Sequence, residues 1–263
     1  MAEAQNGIDI SKWQNPSAID YAKLTADQDF VICRAAYGSR SDKHFRTHFA
    51  NLRKEQSGRT DLCLGAYLFL RQTQDWRAQL EAFIGELDAV GFGEGDIFPF
   101  VDLEWNTKYD GKIDPRRFNP IAQNVLEELR GRYGGALPYL SPGFFQTMKE
   151  PPFLFEYDWW VAHYTSEPEP GLLPRWKEKL PRKTWSIWQY TGTGRHDGYE
   201  GDLDLNTATY VPLIGAPVED LDDDEIPNLA NQPGAWDGDG DGVVEAVEIA
   251  EVLEEAARRV RGL

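Results

Sequence analysis

The sequence is poor in three things: basic charge, long apolar runs and cysteine. Only 27 Lys and Arg residues stand against 44 Asp and Glu residues, so the net charge of the 263-residue chain is −17 at pH 7. Nucleic acids and anionic membranes are bound mainly through basic side chains, so this charge argues against both as partners. No apolar run approaches the roughly 18 residues that cross a bilayer, so we expect no membrane insertion.

The two cysteines, Cys33 and Cys63, are too few for a disulfide framework or a cysteine-based metal site. Both lie in apolar, strand-like runs, which predicts buried free thiols and synthesis in a reducing compartment. The first residues, Met-Ala-Glu-Ala-Gln-Asn, show neither the basic nor the apolar segment of a secretory signal. We therefore expect synthesis in a cytoplasm without a secretory signal.

Apolar and aromatic residues are abundant, at 41% and 13% of the chain, which is enough for a large core and excludes a disordered chain. The acidic excess is concentrated at the end, because residues 215–263 carry 14 acidic and 3 basic side chains. Runs of like charge repel and stay solvated. We therefore predict one large domain at 1–214, an acidic linker at 215–236 and a small appendage at 237–263.

Short, nearly continuous apolar runs alternate with helical patterns in the first 214 residues. The expected strands are residues 7–11, 30–36, 62–70, 97–104, 136–141, 158–164, 184–190 and 202–206. The expected helices are residues 44–56, 75–90 and 118–133, and the later connections are short and rich in proline. This order predicts an α/β fold, an irregular TIM-like (β/α) barrel with degenerate later helices. An open doubly wound sheet is the alternative, although no Gly-x-Gly-x-x-Gly fingerprint follows any strand.

Four acidic residues lie inside or at the end of these apolar runs, namely Asp9, Asp102, Glu104 and Asp204. Charged side chains are rarely buried in strands without a partner or a purpose. Asp102 and Glu104 are two residues apart, so in a strand they share a face, about 6.5–7 Å apart at Cα, while Leu103 faces the helices. If the strand ends meet at one mouth, crowding must raise the pKa of at least one carboxyl group. A protonated acid beside a carboxylate is the equipment of glycoside hydrolysis.

Several stretches around these acids resemble the glycoside hydrolase family 25 lysozymes over residues 7–206. The matching stretches are Gly7-Ile8-Asp9-Ile10-Ser11-Lys12-Trp13-Gln14, Phe30-Val31-Ile32-Cys33-Arg34-Ala35-Ala36-Tyr37-Gly38, Gly65-Ala66-Tyr67, Asp102-Leu103-Glu104, Trp160-Val161-Ala162-His163-Tyr164, Trp188-Gln189-Tyr190 and Asp204-Leu205-Asn206. The resemblance implies an irregular β/α barrel whose substrate is bacterial peptidoglycan. It also implies cleavage of the β-1,4 bond between N-acetylmuramic acid and N-acetylglucosamine, with no cofactor for catalysis. One departure is Leu68, where the family often has histidine.

The resemblance also implies roles for the four acids. Glu104 would be the proton donor, and Asp102 would stabilise the developing positive charge or orient the acetamido group of the substrate. Asp9 and Asp204 would complete the acidic ring, whereas Asp202 would be peripheral. We expect like-charge repulsion from Asp102 to raise the pKa of Glu104. Whether the anomeric configuration is retained or inverted stays open, with substrate-assisted retention favoured.

Sugar rings have apolar faces that pack on aromatic side chains, so residues at the strand ends are candidates for a glycan groove. These candidate substrate-binding residues are Tyr37, Tyr67, Tyr139, Trp160, Tyr164 and Gln189. His44 and His48 are spaced as neighbours on a helix, but no third ligand follows at metal spacing. We therefore expect that pair to lie on a solvated helix face.

Residues 237–248 fit the twelve-residue loop of an EF-hand. The predicted Ca²⁺ ligands are Asp237, Asp239, Asp241, the carbonyl of Val243, Glu245 and Glu248. An amphipathic helix is expected from 249 to 260, and only one such loop is present, so the half-hand would dock on the barrel or on a second copy. The leading hypothesis is therefore a phage endolysin-like muramidase with a calcium tail. The alternative is a catalytically idle barrel that binds cell-wall glycan and uses the tail for calcium-dependent interactions.

Overall fold

The computed structural model describes residues 4–59 and 61–216. The predicted linker from residue 217 onward and the predicted calcium loop lie outside the described residues. Among the described residues, no helix is long and apolar enough to cross a membrane. Both cysteines are free thiols, Cys33 buried and Cys63 half-buried.

All eight predicted strands are present, and one short strand was not predicted. The strands are β1 Gln5–Ile10, β2 Phe30–Tyr37, β3 Arg40–Ser41, β4 Cys63–Phe69, β5 Phe100–Asp102, β6 Leu137–Leu140, β7 Trp160–Ala162, β8 Ile187–His196 and β9 Tyr199–Ala208. The helices are α1 Tyr21–Leu24, α2 Phe45–Gln56, α3 Trp76–Ala89, α4 Thr107–Asp110, α5 Pro115–Tyr133, α6 Pro142–Thr147 and α7 Pro174–Lys177. The three predicted helices correspond to α2, α3 and α5, and the later helices α6 and α7 are short, as expected.

Eight strands close into a barrel, in the order β1-β9-β8-β7-β6-β5-β4-β2, and β2 returns to β1. The unpredicted β3 pairs only with β2, outside the closed ring. Neighbouring strands are parallel except at β9, which is antiparallel to both β8 and β1. Only Asp197 and Gly198 separate β8 from β9, and Gly198 has a φ of +92°. Such a connection is too short for a crossover, so the last unit is a hairpin and not a β/α unit.

Alternating side chains divide the core into two parts. Phe30, Phe100, Trp160 and Ile187 point into the barrel and fill it together, whereas Val31, Val101 and Val161 belong to the outer core under the helices. Gly7 is required by this packing, because a Cβ there would lie 2.2 Å from the ring of Phe30. Polar residues that continue the inward positions must therefore lie above this apolar filling, at one mouth of the barrel.

The long helices begin and end at recognisable caps. Asp75 caps α3 by accepting a hydrogen bond from the backbone N–H of Ala78, and Asp114 caps α5 in the same way. Gly134 ends α5 in the left-handed conformation at φ +84°. These caps fix where each helix leaves the barrel, and therefore where its preceding loop crosses the mouth.

The prediction for His48 was wrong. His48 is only 1% exposed, because α2 packs this side of the helix on the chain after β1. Its Nδ1 is 2.7 Å from the hydroxyl of Tyr21 and its Nε2 is 3.3 Å from the carbonyl of Ser11. Burial lowers the pKa of His48, so the ring acts as a neutral core residue that connects α2 to α1 and to the chain after β1.

Candidate active site

The barrel alternation places two acids at the mouth from one strand. Phe100 points into the barrel, so Asp102 at the end of β5 points the same way, and Glu104 follows two residues later. Leu103, between them, is fully buried in the outer core and faces the helices, as predicted. Leu68, which stands where the family often has histidine, also lies in the outer core, so this difference does not change the mouth of the barrel.

The structure brings all four candidate acids together. Asp9 on β1 is directly paired with Asp204 on β9, which enters the mouth from the opposite direction because β9 is antiparallel. Burial raises the pKa of Asp102 and of Glu104 most; charge on Glu104, Asp9 and Asp204 raises that of Asp102 further, and charge on Asp204 raises that of Glu104 further. The predicted peripheral residue Asp202 instead pairs with Arg195 at 2.9 Å on the hairpin surface. The four carboxyl groups therefore form one electrostatically coupled ring.

Asp9 is held by two amide groups. The side-chain amide nitrogens of Gln189 and Asn206 donate to Asp9 Oδ2 at 2.7 and 2.9 Å. The oxygen of Gln189 in turn accepts hydrogen bonds from the hydroxyls of Tyr139 and Tyr164, at 2.9 and 2.7 Å. These hydroxyls fix the orientation of the Gln189 amide, so its nitrogen faces the carboxylate.

Trp160 fixes the second amide in the same manner. Its indole N–H donates to the oxygen of Asn206 at 2.8 Å, which leaves the nitrogen of Asn206 for Asp9. Trp160 is 1% exposed and packs on Tyr139, Tyr67 and Phe100 in the barrel interior. It therefore lies below the mouth and has no surface for a sugar, contrary to the prediction that it lines a glycan groove.

Glu104 has the pKa of a proton donor at neutral pH, raised to about 7. Burial is the largest cause and the charge on Asp204 is the second, whereas the positive charge on Arg34 lowers the pKa. The predicted repulsion between Asp102 and Glu104 is also present, and it raises the pKa of Asp102. Burial raises the pKa of Asp204 to about 6 and also holds the pKa values of Asp9 and Asp102 well above the usual range.

One carboxyl oxygen of Asp102 has no hydrogen-bond donor among the described residues. This oxygen, Oδ1, is buried. A buried carboxylate oxygen without a donor is costly in the free protein, so the position is one that a ligand group can satisfy. A ligand N–H or a developing positive charge beside Glu104 would supply what the protein does not.

Sequence reasoning assigned no role to Arg34, the one cation among the described residues that acts on Asp102 and Glu104. Arg34 continues the inward positions of Phe30 and Ile32 on β2, and its Nε donates to Asp42 at 2.8 Å in a buried ion pair. The signal was available, because Arg34 follows Ile32 by two residues inside an apolar strand. It lowers the pKa of both Asp102 and Glu104, so it keeps the ring from being fully protonated.

The exposed aromatic residues differ from those predicted. Tyr37 is half-buried and Tyr164 is 60% exposed, so both are available to a ligand, whereas Tyr67 is buried and Tyr139 faces the ring. Three aromatic residues near Glu104 were not predicted, and they are among the most exposed: Trp13, Trp105 and Tyr109. All three, with Tyr37 and Glu104, line an open cleft of about 920 Å³. Through Glu104 the acidic ring therefore borders a cleft with aromatic walls, the type of surface on which sugar rings pack.

No group of three His, Cys, Asp or Glu side chains in residues 4–59 and 61–216 is arranged to hold a metal ion. The predicted calcium ligands, from Asp237 to Glu248, lie outside those residues.

Comparison with known proteins agrees with this geometry. Residues 8–199 match the family described as Glycosyl hydrolases family 25. The chain is 27% identical over 229 residues to the uncharacterized protein YegX of Escherichia coli K12, which covers 82% of this chain and 71% of YegX. It is 24% identical over 218 residues to Lysozyme M1 of Streptomyces globisporus, which covers 76% of this chain and 66% of that protein.

Among solved structures, the bacterial lysozyme from Streptomyces coelicolor is similar with a TM-score of 0.65 at 21% sequence identity. The match covers 80% of this chain and 94% of that structure. At this identity the likeness shows a shared barrel fold.

Proposed function

The chain belongs to glycosyl hydrolases family 25 and is a glycoside hydrolase, and from that premise we propose that it is a lysozyme acting on bacterial peptidoglycan. The bond we propose is the β-1,4 linkage between N-acetylmuramic acid and N-acetylglucosamine. The observation that carries this proposal is Glu104, a carboxyl group with a pKa of about 7 at the mouth of an aromatic cleft. A carboxylic acid that stays protonated near neutral pH can protonate a glycosidic oxygen.

Glu104 would give its proton to the leaving oxygen as the glycosidic bond breaks. The oxygen of the 2-acetamido group would attack the anomeric carbon from the opposite side, and Asp102 would orient that group and stabilise its positive charge. The unpartnered oxygen of Asp102 supports this role, because an acetamido N–H is the donor it lacks. Glu104, now a carboxylate, would remove a proton from the water that opens the cyclic intermediate, so that the configuration is retained.

Asp9 and Asp204 would keep the site negative without touching the leaving group. Charge on Asp204 raises the pKa of Glu104, and charge on Asp9 raises that of Asp102. Together they would favour the positive charge that develops at the anomeric carbon. The amides of Gln189 and Asn206 would position Asp9 for this role.

The direct test is mass spectrometry of borohydride-reduced fragments from purified peptidoglycan, with wild type and Glu104→Gln compared. Muramitol ends from wild type alone would support both the bond and the donor. Glucosaminitol ends would support a glycosidase but refute the proposed bond. The absence of fragments from both proteins on several wall types, with Ca²⁺ present, would favour the idle glycan-binding barrel instead.

The pH dependence of activity tests the electrostatic ring. We expect kcat/KM to fall as pH rises through about 7, because Glu104 then loses the proton that it must donate. Asp204→Asn removes a charge that raises the pKa of Glu104, so the alkaline limb should move to lower pH. Asp202→Asn is the matched control and should leave the limb in place, since Asp202 pairs with Arg195 outside the ring. An alkaline limb that stays in place in Asp204→Asn would contradict the effect of Asp204 on the pKa of Glu104.

We also propose that residues 237–248 bind Ca²⁺, an inference that rests on the sequence alone. Isothermal titration of the full chain with CaCl₂ should show one site, and Asp237→Asn with Glu248→Gln should abolish it. Asp222→Asn with Glu225→Gln removes the same charge from the acidic linker and should leave binding intact. Equal heats of Ca²⁺ binding from both double variants would mean that the loop is not a specific site and that Ca²⁺ binds only to a diffuse acidic surface.

The appendage would then anchor the enzyme on its wall substrate or on a second copy of the chain. We propose that the enzyme acts at the bacterial cell wall, after release by lysis or through a holin. Sedimentation of the full chain with CaCl₂ and with EDTA separates the two uses, because self-association would change the mass and wall anchoring would not.

A further inference from the structure

The cleft beside Glu104 has a charge opposite to that of the rest of the protein. Six cationic side chains line it, against two acids, Asp42 and Glu104. The cations are Lys12, Arg34, Arg40, Lys43, Arg71 and Lys108. In a chain of net charge −17, such a concentration is not the average of the surface. The proposed chemistry at the acidic ring does not require this positive charge, because Arg34 is the only one of the six cations that acts on Glu104.

Two of these cations are neutralised by buried partners. Arg34 pairs with Asp42 at 2.8 Å, and Arg71 makes a two-pronged contact with Asp110 at 2.5 and 2.8 Å. Such pairs hold the cleft walls in place and leave little net charge. The positive charge that a ligand meets must therefore come from the other four.

Those four cations have no carboxylate partner among the described residues, and they are Lys12, Arg40, Lys43 and Lys108. Aromatic rings position two of them: the Nζ of Lys12 is 4.8 Å from the ring of Trp13, and the Nζ of Lys108 is 5.0 Å from the ring of Tyr109. A ring attracts an ammonium group without cancelling its charge. The ammonium groups are thus held at the cleft with their charge available.

We propose that this cleft binds the free carboxylates of the peptide stems on the glycan strand. The inference rests on the proposed substrate and extends it, since it assigns Lys43 and Lys108 as specificity-determining residues. Where a stem is attached, it occupies the lactyl carboxyl of the muramic sugar, so the free carboxylates of the stem are the anionic groups nearest to the bond that Glu104 would cleave. In this arrangement the aromatic rings bind the sugars, and the cations bind the stems that project from the sugars. A strand with carboxylate-bearing stems is then preferred over an uncharged polysaccharide such as chitin.

Charge complementarity also resolves a conflict between enzyme and substrate. A protein of net charge −17 is repelled by an anionic wall, and a local positive cleft oriented towards the strand overcomes that repulsion where it matters. The attraction acts between exposed groups, so it weakens as salt screens it.

The test measures binding by Glu104→Gln protein, so that cleavage does not consume the ligand. The ligand is a soluble tetrasaccharide of the glycan strand with two peptide stems, used with free carboxylates and with the same carboxyls converted to carboxamides. Lys43→Gln with Lys108→Gln removes two exposed cleft cations. Lys54→Gln with Lys179→Gln removes two exposed lysines that do not line the cleft, and it is the matched control.

The cleft variant should weaken binding of the carboxylate ligand about fivefold at low salt, from two solvent-exposed charge pairs. Its affinity for the carboxamide ligand should be unchanged, and the control should bind both ligands as the parent does. An equal loss on both ligands, or no loss on either, would overturn the proposal. Failure of native protein to cleave any wall is a separate result, and it would refute the proposed function while the binding difference remained.

Discussion

Replacing Glu104 with glutamine should lower kcat/KM on peptidoglycan by about 10²–10⁴-fold, the usual contribution of general acid catalysis. Glutamine has nearly the shape of the protonated acid, but it cannot give a proton to the leaving oxygen. The loss should appear in kcat, because the aromatic cleft that binds the strand is unchanged. The measurement is the initial rate of reducing-end release from purified peptidoglycan at about pH 6, where wild-type Glu104 is largely protonated.

Glu128→Gln is the control, because Glu128 is exposed on α5 and lies outside the cleft. It should keep wild-type activity. A fall of less than tenfold in Glu104→Gln would remove Glu104 as the donor and return the question to Asp102 or Asp204.

Stability separates a loss of chemistry from a damaged fold. The pKa of Glu104 is raised from 4.5 to about 7, so the folded state holds the proton more tightly than the unfolded chain. The stabilisation from Glu104 is therefore fully present below about pH 4 and is lost as pH rises through about 7. Glutamine has no such loss, so at about pH 8 the variant should be more stable than wild type by up to about 3 kcal/mol. Thermal unfolding of both proteins at about pH 4 and at about pH 8 checks this. A variant less stable than wild type at about pH 8 would contradict it.

Much of the barrel could be predicted because strands buried on both faces read as short apolar runs. All eight expected runs contain strands, from Gln5–Ile10 to Tyr199–Ala208. The direction of a strand is not encoded in its apolar run, so the sequence predicts a strand at residues 202–206 but not that β9 is antiparallel to both of its neighbours. The dipeptide Asp197-Gly198, between two strand-like segments, is a hairpin signal that indicates this reversal.

The membership of the acidic ring could also be predicted, but only part of its electrostatics could. The position of an acid in an apolar run identified Asp9, Asp102, Glu104 and Asp204, and all four lie at one mouth. Which neighbour raises which pKa depends on burial and on distances across the barrel. Spacing along one strand predicts the repulsion between Asp102 and Glu104, but it does not show that burial and the charge on Asp204, on another strand, raise the pKa of Glu104.

The aromatic residues show the same limit. Trp160 and Trp13 have equal affinity for a sugar face as residue types, and only tertiary packing decides that Trp160 is 1% and Trp13 73% exposed. Trp160 lies on β7 and points inward, whereas Trp13 follows β1 in a loop. A strand-end position therefore predicts proximity to the mouth and does not predict access to it.

Asp102→Asn should lower kcat by about 10²–10³-fold with a small effect on KM, the scale found when one charge-stabilising group is removed from an active site. Asparagine keeps the shape of the side chain but removes the negative charge that would stabilise the acetamido group as it becomes positive. The charge develops only on the way to the transition state, so substrate binding should be nearly unaffected. Steady-state rates on a soluble tetrasaccharide with stems provide the measurement.

Removal of the acetyl group from the muramic sugar gives an independent test of what Asp102 acts on. If Asp102 works through the acetamido group, wild type should lose about as much rate on the deacetylated substrate as Asp102→Asn loses on the natural one. The variant should then lose little more on the deacetylated substrate, because two changes to one interaction are not additive. Losses that multiply would mean that Asp102 stabilises the anomeric carbon directly. NMR of the first-formed product distinguishes the outcomes further, since attack by the acetamido oxygen requires the β-anomer to appear first.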